Sequence, residues 1–131
     1  MAQKPRCLTK TEASWLAGVI DGEGSIGLYC YGKEGRRTLI QMGNTSKTFV
    51  NHFKKLTGCG SQVVRKNFKK SSGHKGRKPM HYYSLKGSAR CVAILKQVIP
   101  YLIIKRTKAI KIIREVESRP FGRWARCKRK H

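Results

Sequence analysis

The stretch that decides the fold is WLAGVIDGEG, residues 15–24, and its charge is unusual for this chain. The 131-residue protein carries 30 Lys and Arg but only 6 Asp and Glu, which gives a formal net charge of +24. Two of the six acids, Asp21 and Glu23, nevertheless lie close together in an otherwise apolar segment. This placement needs a reason, because acids are scarce everywhere else in the chain.

The residues around this stretch predict a helix. Thr9 and Glu12 match the T-x-x-E capping box, which predicts a helix that begins near Lys10. The apolar residues at 15–20 recur with helical spacing, and the glycines that follow end the helix.

The rest of the chain alternates between strand-like and helical patterns. We predict a hairpin over 25–31 and 37–45, a helix over 45–58, a second strand pair over 61–66 and 80–86, and helices over 88–99 and 101–118. This order predicts an α+β domain over residues 1–118, in which helices cover one face of a four-stranded antiparallel sheet. Residues 119–131 form a basic C-terminal tail.

The net charge indicates the partner. Self-repulsion of this size opposes compaction unless a polyanion is bound, so we expect nucleic acid. No apolar run approaches the roughly 18 residues that cross a bilayer, and none follows MAQKPRC (1–7) as in a signal peptide. The five cysteines lack zinc-ligand spacing, and we interpret them as reduced, mostly buried thiols. We therefore expect an intracellular protein, in the cytoplasm, nucleoid or an organelle matrix, that is not secreted and has no membrane partner.

Two features of the first helix suggest contacts outside the domain. Ser14, Gly18 and Gly22 form a strip of small residues at helical spacing, which lets a second helix backbone approach closely. The alternative is that Gly18 packs against the chain's own sheet. Glu23 lies between glycines, where a phosphate or metal can approach, and a carboxylate facing DNA makes sense if a divalent cation lies between them. The alternative is an ion pair with one of the many Lys and Arg residues.

Strand parity identifies a face for recognition. If Ile26 and Leu28 point inward, Tyr29 and Tyr31 point outward, and in the next strand Gln41 does so as well. A two-stranded ribbon fits the major groove, where Arg reads guanine and Gln reads adenine. The candidate DNA-binding residues are Tyr29, Tyr31, Arg36, Arg37, Gln41, Arg65, Lys66, Lys69, Lys70, Lys75, Arg77 and Lys78. Any one of them could instead be a solvated surface residue.

Residues 16–24, LAGVIDGEG, resemble the LAGLIDADG motif of the homing endonucleases, with Val for Leu, Gly for Ala and Glu for Asp. GNTSKTFVNHFKKLTGCG (43–60) and IPYLIIKRTKA (99–109) resemble two further segments of that family. The resemblance implies an αββαββα core with a saddle-shaped sheet. Because the chain holds a single motif, it also implies a homodimer joined through the first helix, with an interface that includes Ser14, Gly18 and Gly22.

The resemblance further implies roles for particular residues. Glu23 corresponds to the metal ligand, joined by the Gly22 carbonyl, and the metal is Mg²⁺ or Mn²⁺. Lys105 corresponds to a basic residue that stabilises charge at the phosphate, and we expect Asp21 to be a structural residue at the helix end and not a ligand. Ser46 occupies a position where relatives often place Gln or Asp to position water, and Asn44 is a neighbouring candidate for this task.

The implied function is a metal-dependent, site-specific endonuclease that cuts both strands of DNA at a long pseudo-palindromic target. Two alternatives use the same basic surface without cutting: an intron maturase that binds intron RNA, and a ribosomal or other RNA-binding protein. The ribosomal or RNA-binding alternative does not explain an acid between two glycines at the end of the first helix. The presence of both Glu23 and Lys105 argues against a maturase that has lost its cutting site, although one protein can carry out both tasks.

Overall fold

The computed structural model describes residues 4–30, 36–66 and 78–118, in which helices and strands follow the predicted order. The elements are α1 (Lys10–Glu23), β1 (Gly24–Cys30), β2 (Arg36–Asn44), α2 (Lys47–Thr57), β3 (Ser61–Arg65), β4 (Met80–Lys86), α3 (Ser88–Val98), a 3₁₀ turn (Ile99–Tyr101) and α4 (Arg106–Glu117). The predicted α+β class is confirmed. The predicted tail, residues 119–131, lies outside the described residues.

The capping box at the start of α1 forms as predicted. The Thr9 hydroxyl accepts a hydrogen bond from the Glu12 amide at 3.1 Å, and the Glu12 carboxylate accepts one from the Thr9 amide at 3.0 Å. At the other end, Gly24 turns the chain directly into β1. A Cβ at Gly24 would lie 3.0 Å from the Ile20 Cα and 3.2 Å from the Gln41 carbonyl oxygen. Glycine therefore permits the close approach of α1 to β2.

The four strands form one antiparallel sheet in the order β1-β2-β4-β3. Side chains alternate across it: Ile40 and Met42 of β2 are buried, whereas Gln41 between them is exposed. On the neighbouring strand Tyr83 is buried and Tyr82 is exposed. One face of the sheet is therefore covered by the helices, and the other face is open.

The core lies between the covered face of the sheet and the four helices. Its members include Leu16 of α1, Phe53 of α2, Leu95 of α3 and Ile112 of α4. Phe53 packs edge to face on Tyr83, with ring centroids 4.8 Å apart. Two of the cysteines, Cys59 and Cys91, are buried here as expected, whereas Cys7 is exposed.

The segment before α4 departs from the prediction. The predicted helix over 101–118 is wrong in its first turn, because the chain forms the 3₁₀ turn and then a non-helical loop, residues 102–105, before α4 begins. Pro100 lacks a backbone N–H for helical bonding. The amides of Ile103 and Lys105 are instead bound by a side chain of α1, which is described below.

Candidate functional site

The C-terminal end of α1 gathers the two acids and the predicted catalytic lysine. Asp21 lies half-buried, and its two carboxylate oxygens accept hydrogen bonds from the backbone amides of Ile103 at 2.7 Å and Lys105 at 2.9 Å. Partial burial acts to raise the pKa of Asp21. The hydrogen bonds from the loop amides and the Lys105 charge lower it, so the pKa lies below its usual value. Asp21 thus fastens the loop at 102–105 to the end of α1, which agrees with its predicted structural role.

Lys105 is held at the same place. Its Nζ donates a hydrogen bond to the Asp21 carbonyl oxygen at 3.0 Å, and its backbone caps the start of α4. The carbonyl groups at a helix C-terminus carry partial negative charge, which favours a cation there. Asp21 therefore positions this lysine twice, through its carboxylate and through its carbonyl oxygen.

Glu23 is the last residue of α1, and its side chain is exposed. The Asn44 side-chain amide donates a hydrogen bond to the Glu23 carboxylate at 2.9 Å, and the Asn44 side-chain oxygen accepts one from the Ser46 amide at 2.7 Å. No Lys or Arg within residues 4–30, 36–66 and 78–118 forms an ion pair with Glu23. We call Asp21, Glu23, Asn44 and Lys105 the α1 foot.

Ser46 has a defined structural contact. Its hydroxyl oxygen accepts a hydrogen bond from the Phe49 amide at 3.2 Å and so caps the N-terminus of α2. Between the two residues considered for positioning water, Asn44 is the one whose side chain contacts Glu23. The catalytic role of Ser46 stays a prediction.

The α1 foot has the electrostatics of a cation site. The exposed Glu23 carboxylate lies at the negative end of the helix dipole, where a cation is favoured. The described residues hold no group of three or more His, Cys, Asp and Glu that could bind a metal. Glu23 and the Gly22 carbonyl are hard oxygen donors. They fit Mg²⁺, which takes one or two carboxylates and completes its shell with water and phosphate oxygens.

The strip of small residues on α1 faces away from the chain's own core. Ser14, Gly18 and Gly22 are exposed, and a Cβ added at either glycine would meet nothing within 4 Å. The alternative that Gly18 packs against its own sheet is therefore wrong. Two apolar side chains of the loop bound by Asp21 are also exposed, Ile103 by 83% and Ile104 by 72%. Sequence reasoning missed these two, because it assigned the run to a helix and not to a loop.

The open face of the sheet carries part of the predicted DNA-binding set. Gln41, Arg65, Lys66 and Lys78 are exposed, and Arg37 is half-buried. Tyr29 and Arg36 lie in β1 and β2, but their side chains are outside the described set, as are residues Tyr31, Lys69, Lys70, Lys75 and Arg77. Two exposed residues of this face, Val63 and Tyr82, were missed from the sequence because only charged and amide side chains were selected on these strands.

No helix within the described ranges is both long and apolar enough to cross a membrane.

Comparison with known proteins identifies the fold. No protein-family model matches the chain, and no curated protein matches it in sequence. Among solved structures, the homing endonuclease I-CvuI in complex with the I-CreI target superposes with a TM-score of 0.62 and 24% identity, over 80% of this chain and 65% of that one. The archaeal intron-encoded homing endonuclease I-Vdi141I complexed with DNA gives 0.59 and 13%, over 82% and 67%. The I-LtrWI LAGLIDADG homing endonuclease bound to target DNA gives 0.54 and 20%, over 85% and 37%.

The chain therefore has the fold of the LAGLIDADG homing endonucleases, and the resemblance predicted from residues 16–24 is confirmed. It spans about 65% of the length of I-CvuI.

Proposed function

We propose that the protein is a site-specific DNA endonuclease of the LAGLIDADG homing type, which acts as a homodimer with a divalent cation at each Glu23. The observation that carries this proposal is the α1 foot. An exposed carboxylate oriented by Asn44 and an anchored Lys105 lie together at the end of one helix. A protein that only binds DNA or RNA does not need this arrangement of Glu23, Asn44 and Lys105.

The residues that would act on the cation and the phosphate have separate tasks in this proposal. Glu23 and the Gly22 carbonyl hold the cation, and Asn44 fixes the orientation of the carboxylate. Lys105 places positive charge beside the phosphate and offsets the charge that develops on it during cleavage. A bound Mg²⁺ or Mn²⁺ would supply Lewis-acid polarisation of the phosphate and stabilisation of the leaving oxygen.

A homodimer follows from the surface of α1. One chain carries one α1 foot, so cutting both strands of a duplex needs two copies. The exposed strip of Ser14, Gly18 and Gly22 leaves room for a second helix backbone. The exposed Ile103 and Ile104 lie beside that strip, since the Ile103 amide binds Asp21, and they add apolar area to the interface.

Duplex DNA is the partner that fits the open face of the sheet. The chain's charge of +24 matches a polyanion, and a sheet ribbon presents alternate side chains to a major groove. The I-CvuI structures hold target DNA in the presence of Mg or Ca, which supports the same partner and metal class here.

The test is cleavage of a plasmid that carries the uninterrupted insertion site of the protein's own gene. We expect linear product with Mg²⁺ and none with EDTA, on this plasmid but not on one in which the site is scrambled. Binding to the site without cleavage in Mg²⁺ would contradict the endonuclease assignment. Preference for structured RNA over the duplex would favour the maturase or RNA-binding alternatives.

A further inference from the structure

An apolar and cationic patch lies on the open face of the sheet, across strands β3 and β4. Val63 of β3 is 53% exposed, and its register partner Tyr82 of β4 is 40% exposed. Arg65 follows on the same face of β3. Apolar side chains exposed on this face gain free energy when a contact removes them from water, so they favour an apolar part of a ligand.

The patch is organised before any ligand binds. Tyr82 lies opposite Gly43 of β2, and a Cβ at Gly43 would come within 2.8 Å of the Tyr82 ring. The ring therefore lies against the bare backbone of β2. The Arg65 guanidinium carbon lies 5.8 Å from the centre of the ring, within the range of a cation–π contact. Tyr82 thus restricts the positions that the guanidinium can take.

The chemistry of the patch matches two groups in the major groove. Thymine is distinguished there by its C5 methyl group, which apolar side chains contact, and guanine by N7 and O6, which an Arg binds with two hydrogen bonds. Val63 and Arg65 are two residues apart on one face of a strand, which separates them by about 6.7 Å. Base pairs are stacked at intervals of about 3.4 Å. The two side chains therefore reach bases within about two steps of each other.

We propose that Val63 and Arg65 read a thymine and a nearby guanine in each half of the target, and that Tyr82 is a positioning residue for Arg65. If the protein binds DNA as proposed above, this patch determines part of its base preference. The side chains act by contact with base edges, so the patch affects which sequence is bound and leaves the α1 foot unchanged.

The test is selection from a randomised double-stranded DNA library, in EDTA so that the DNA stays intact, followed by binding measurements on the selected sequence. We expect Val63→Ala to lose the preference for one thymine and Arg65→Ala to lose that for one guanine. Replacing that thymine by deoxyuridine removes only the methyl group. It should weaken binding by wild type by about fourfold, the effect expected for one buried methyl group, and leave binding by Val63→Ala unchanged.

The chain offers a matched control for Val63. Val64 is 47% exposed but points to the opposite face of the same strand, so Val64→Ala should keep the wild-type preference. Tyr82→Phe retains the ring and should keep the guanine preference, whereas Tyr82→Leu should lose it although Arg65 is intact.

The outcomes separate the two proposals. If wild type enriches no sequence, two proposals are wrong: that the protein binds a specific DNA site, and that Val63 and Arg65 recognise bases in it. If wild type enriches a sequence that Val63→Ala and Arg65→Ala select equally well, the DNA binding stands and the reading by this patch is overturned. An equal response of Val63→Ala and Val64→Ala overturns it as well.

Discussion

Asp21 and Glu23 carry the same charge and are almost adjacent in sequence, but their surroundings give them different tasks. Both oxygens of Asp21 are bound by backbone amides, whereas Glu23 is exposed and contacts the neutral amide of Asn44. The sequence predicted this difference from the family resemblance of residues 16–24. It could not predict the partner of Asp21, because the loop at 102–105 lies about 80 residues away in the chain and meets α1 only in the folded state.

At Glu23, removal of the charge should separate cleavage from binding. Glu23→Gln keeps the shape of the side chain but weakens its hold on a cation, so cleavage in Mg²⁺ should be abolished. Binding in EDTA should be unchanged or tighter, because one negative charge is removed from a surface that faces phosphate. Gel-shift and plasmid-cleavage assays measure the two effects.

The matched control for that change is Glu117→Gln. Glu117 is the last residue of α4, about 18 Å along that helix from Lys105, and it pairs with Lys96. This variant removes the same charge and should cut like wild type. Cleavage by Glu23→Gln at the wild-type rate would show that Glu23 is not the metal ligand.

At Asp21, the expected loss is one of stability. Asn has only one acceptor oxygen, so Asp21→Asn leaves one of the two loop amides facing an NH₂ group. Hydrogen bonds to charged groups are worth about 1.5–3 kcal/mol, and the half-exposed setting favours the lower end. Urea unfolding should therefore give a lower free energy of unfolding for Asp21→Asn than for wild type. Cleavage should also be reduced, because Lys105 loses part of the contact that holds it in place. The free energy of unfolding of Glu23→Gln should stay within about 0.5 kcal/mol of the wild-type value. An equal loss of stability in Asp21→Asn and Glu23→Gln would show that the two acids do not have different tasks.

At the scale of elements, the sequence predicted those that carry a strong periodic pattern. The capping box located the start of α1, and strand parity placed Ile40 and Met42 on the covered face. The prediction failed before α4, where the apolar run 101–104 continues the helical pattern but the loop bonds to Asp21 instead. Tertiary hydrogen bonds overrode local propensity there. Pro100 was a local signal of a break, but it could not identify Asp21 as the partner of the loop. Tyr82 and Val63 were missed for another reason, because only charged and amide side chains were selected on strands β3 and β4.

The strip of small residues on α1 predicts that a larger side chain at Gly18 has opposite effects on the stability of the fold and on the association of two chains. Gly18 has open space around it, so Gly18→Ala should stabilise the fold by up to about 1 kcal/mol through helix propensity. The added methyl group should nevertheless weaken the dimer, and Gly18→Leu should give folded monomers with weak DNA binding. Analytical ultracentrifugation and urea unfolding measure the two effects.

A control for bulk is available on α3. Ala89 is exposed, so Ala89→Leu adds a side chain of similar size and should sediment like wild type. A wild-type protein that is monomeric on DNA, or a Gly18→Leu variant that remains dimeric, would contradict the interface.

Gly58, which ends α2, has a backbone conformation that requires glycine. Gly58 has φ of +77°, and a Cβ there would come within 2.6 Å of the Arg6 side chain. Arg6 can move, but the left-handed conformation still costs a residue with a Cβ about 1–2 kcal/mol. Gly58→Ala should lower the free energy of unfolding by at least that amount, measured with urea. An Ala variant as stable as wild type would show that α2 can end in another conformation.

For the whole molecule, the fold and the charge act together. The helices cover one face of the sheet, so the open face is where a polyanion can approach the strands most closely. A charge of +24 predicts strong binding at low salt, but it identifies neither the target sequence nor the residues that contact phosphate. The residues that contact phosphate depend on where each cation lies in the fold.

Salt dependence distinguishes lysines that contact phosphate from those that do not. Lys66 and Lys78 are exposed just beyond β3 and before β4, at the edge of the open face, whereas Lys96 lies on α3 and pairs with Glu117. Each phosphate contact contributes about 0.9 to the slope of log K against log salt. Lys66→Ala and Lys78→Ala should each lower the slope by about 1 per copy and weaken all DNA sequences alike. Lys96→Ala has the same change in net charge but should leave the slope as in wild type. An equal fall in slope for all three variants would mean that net charge, and not the open face, determines the contact with DNA.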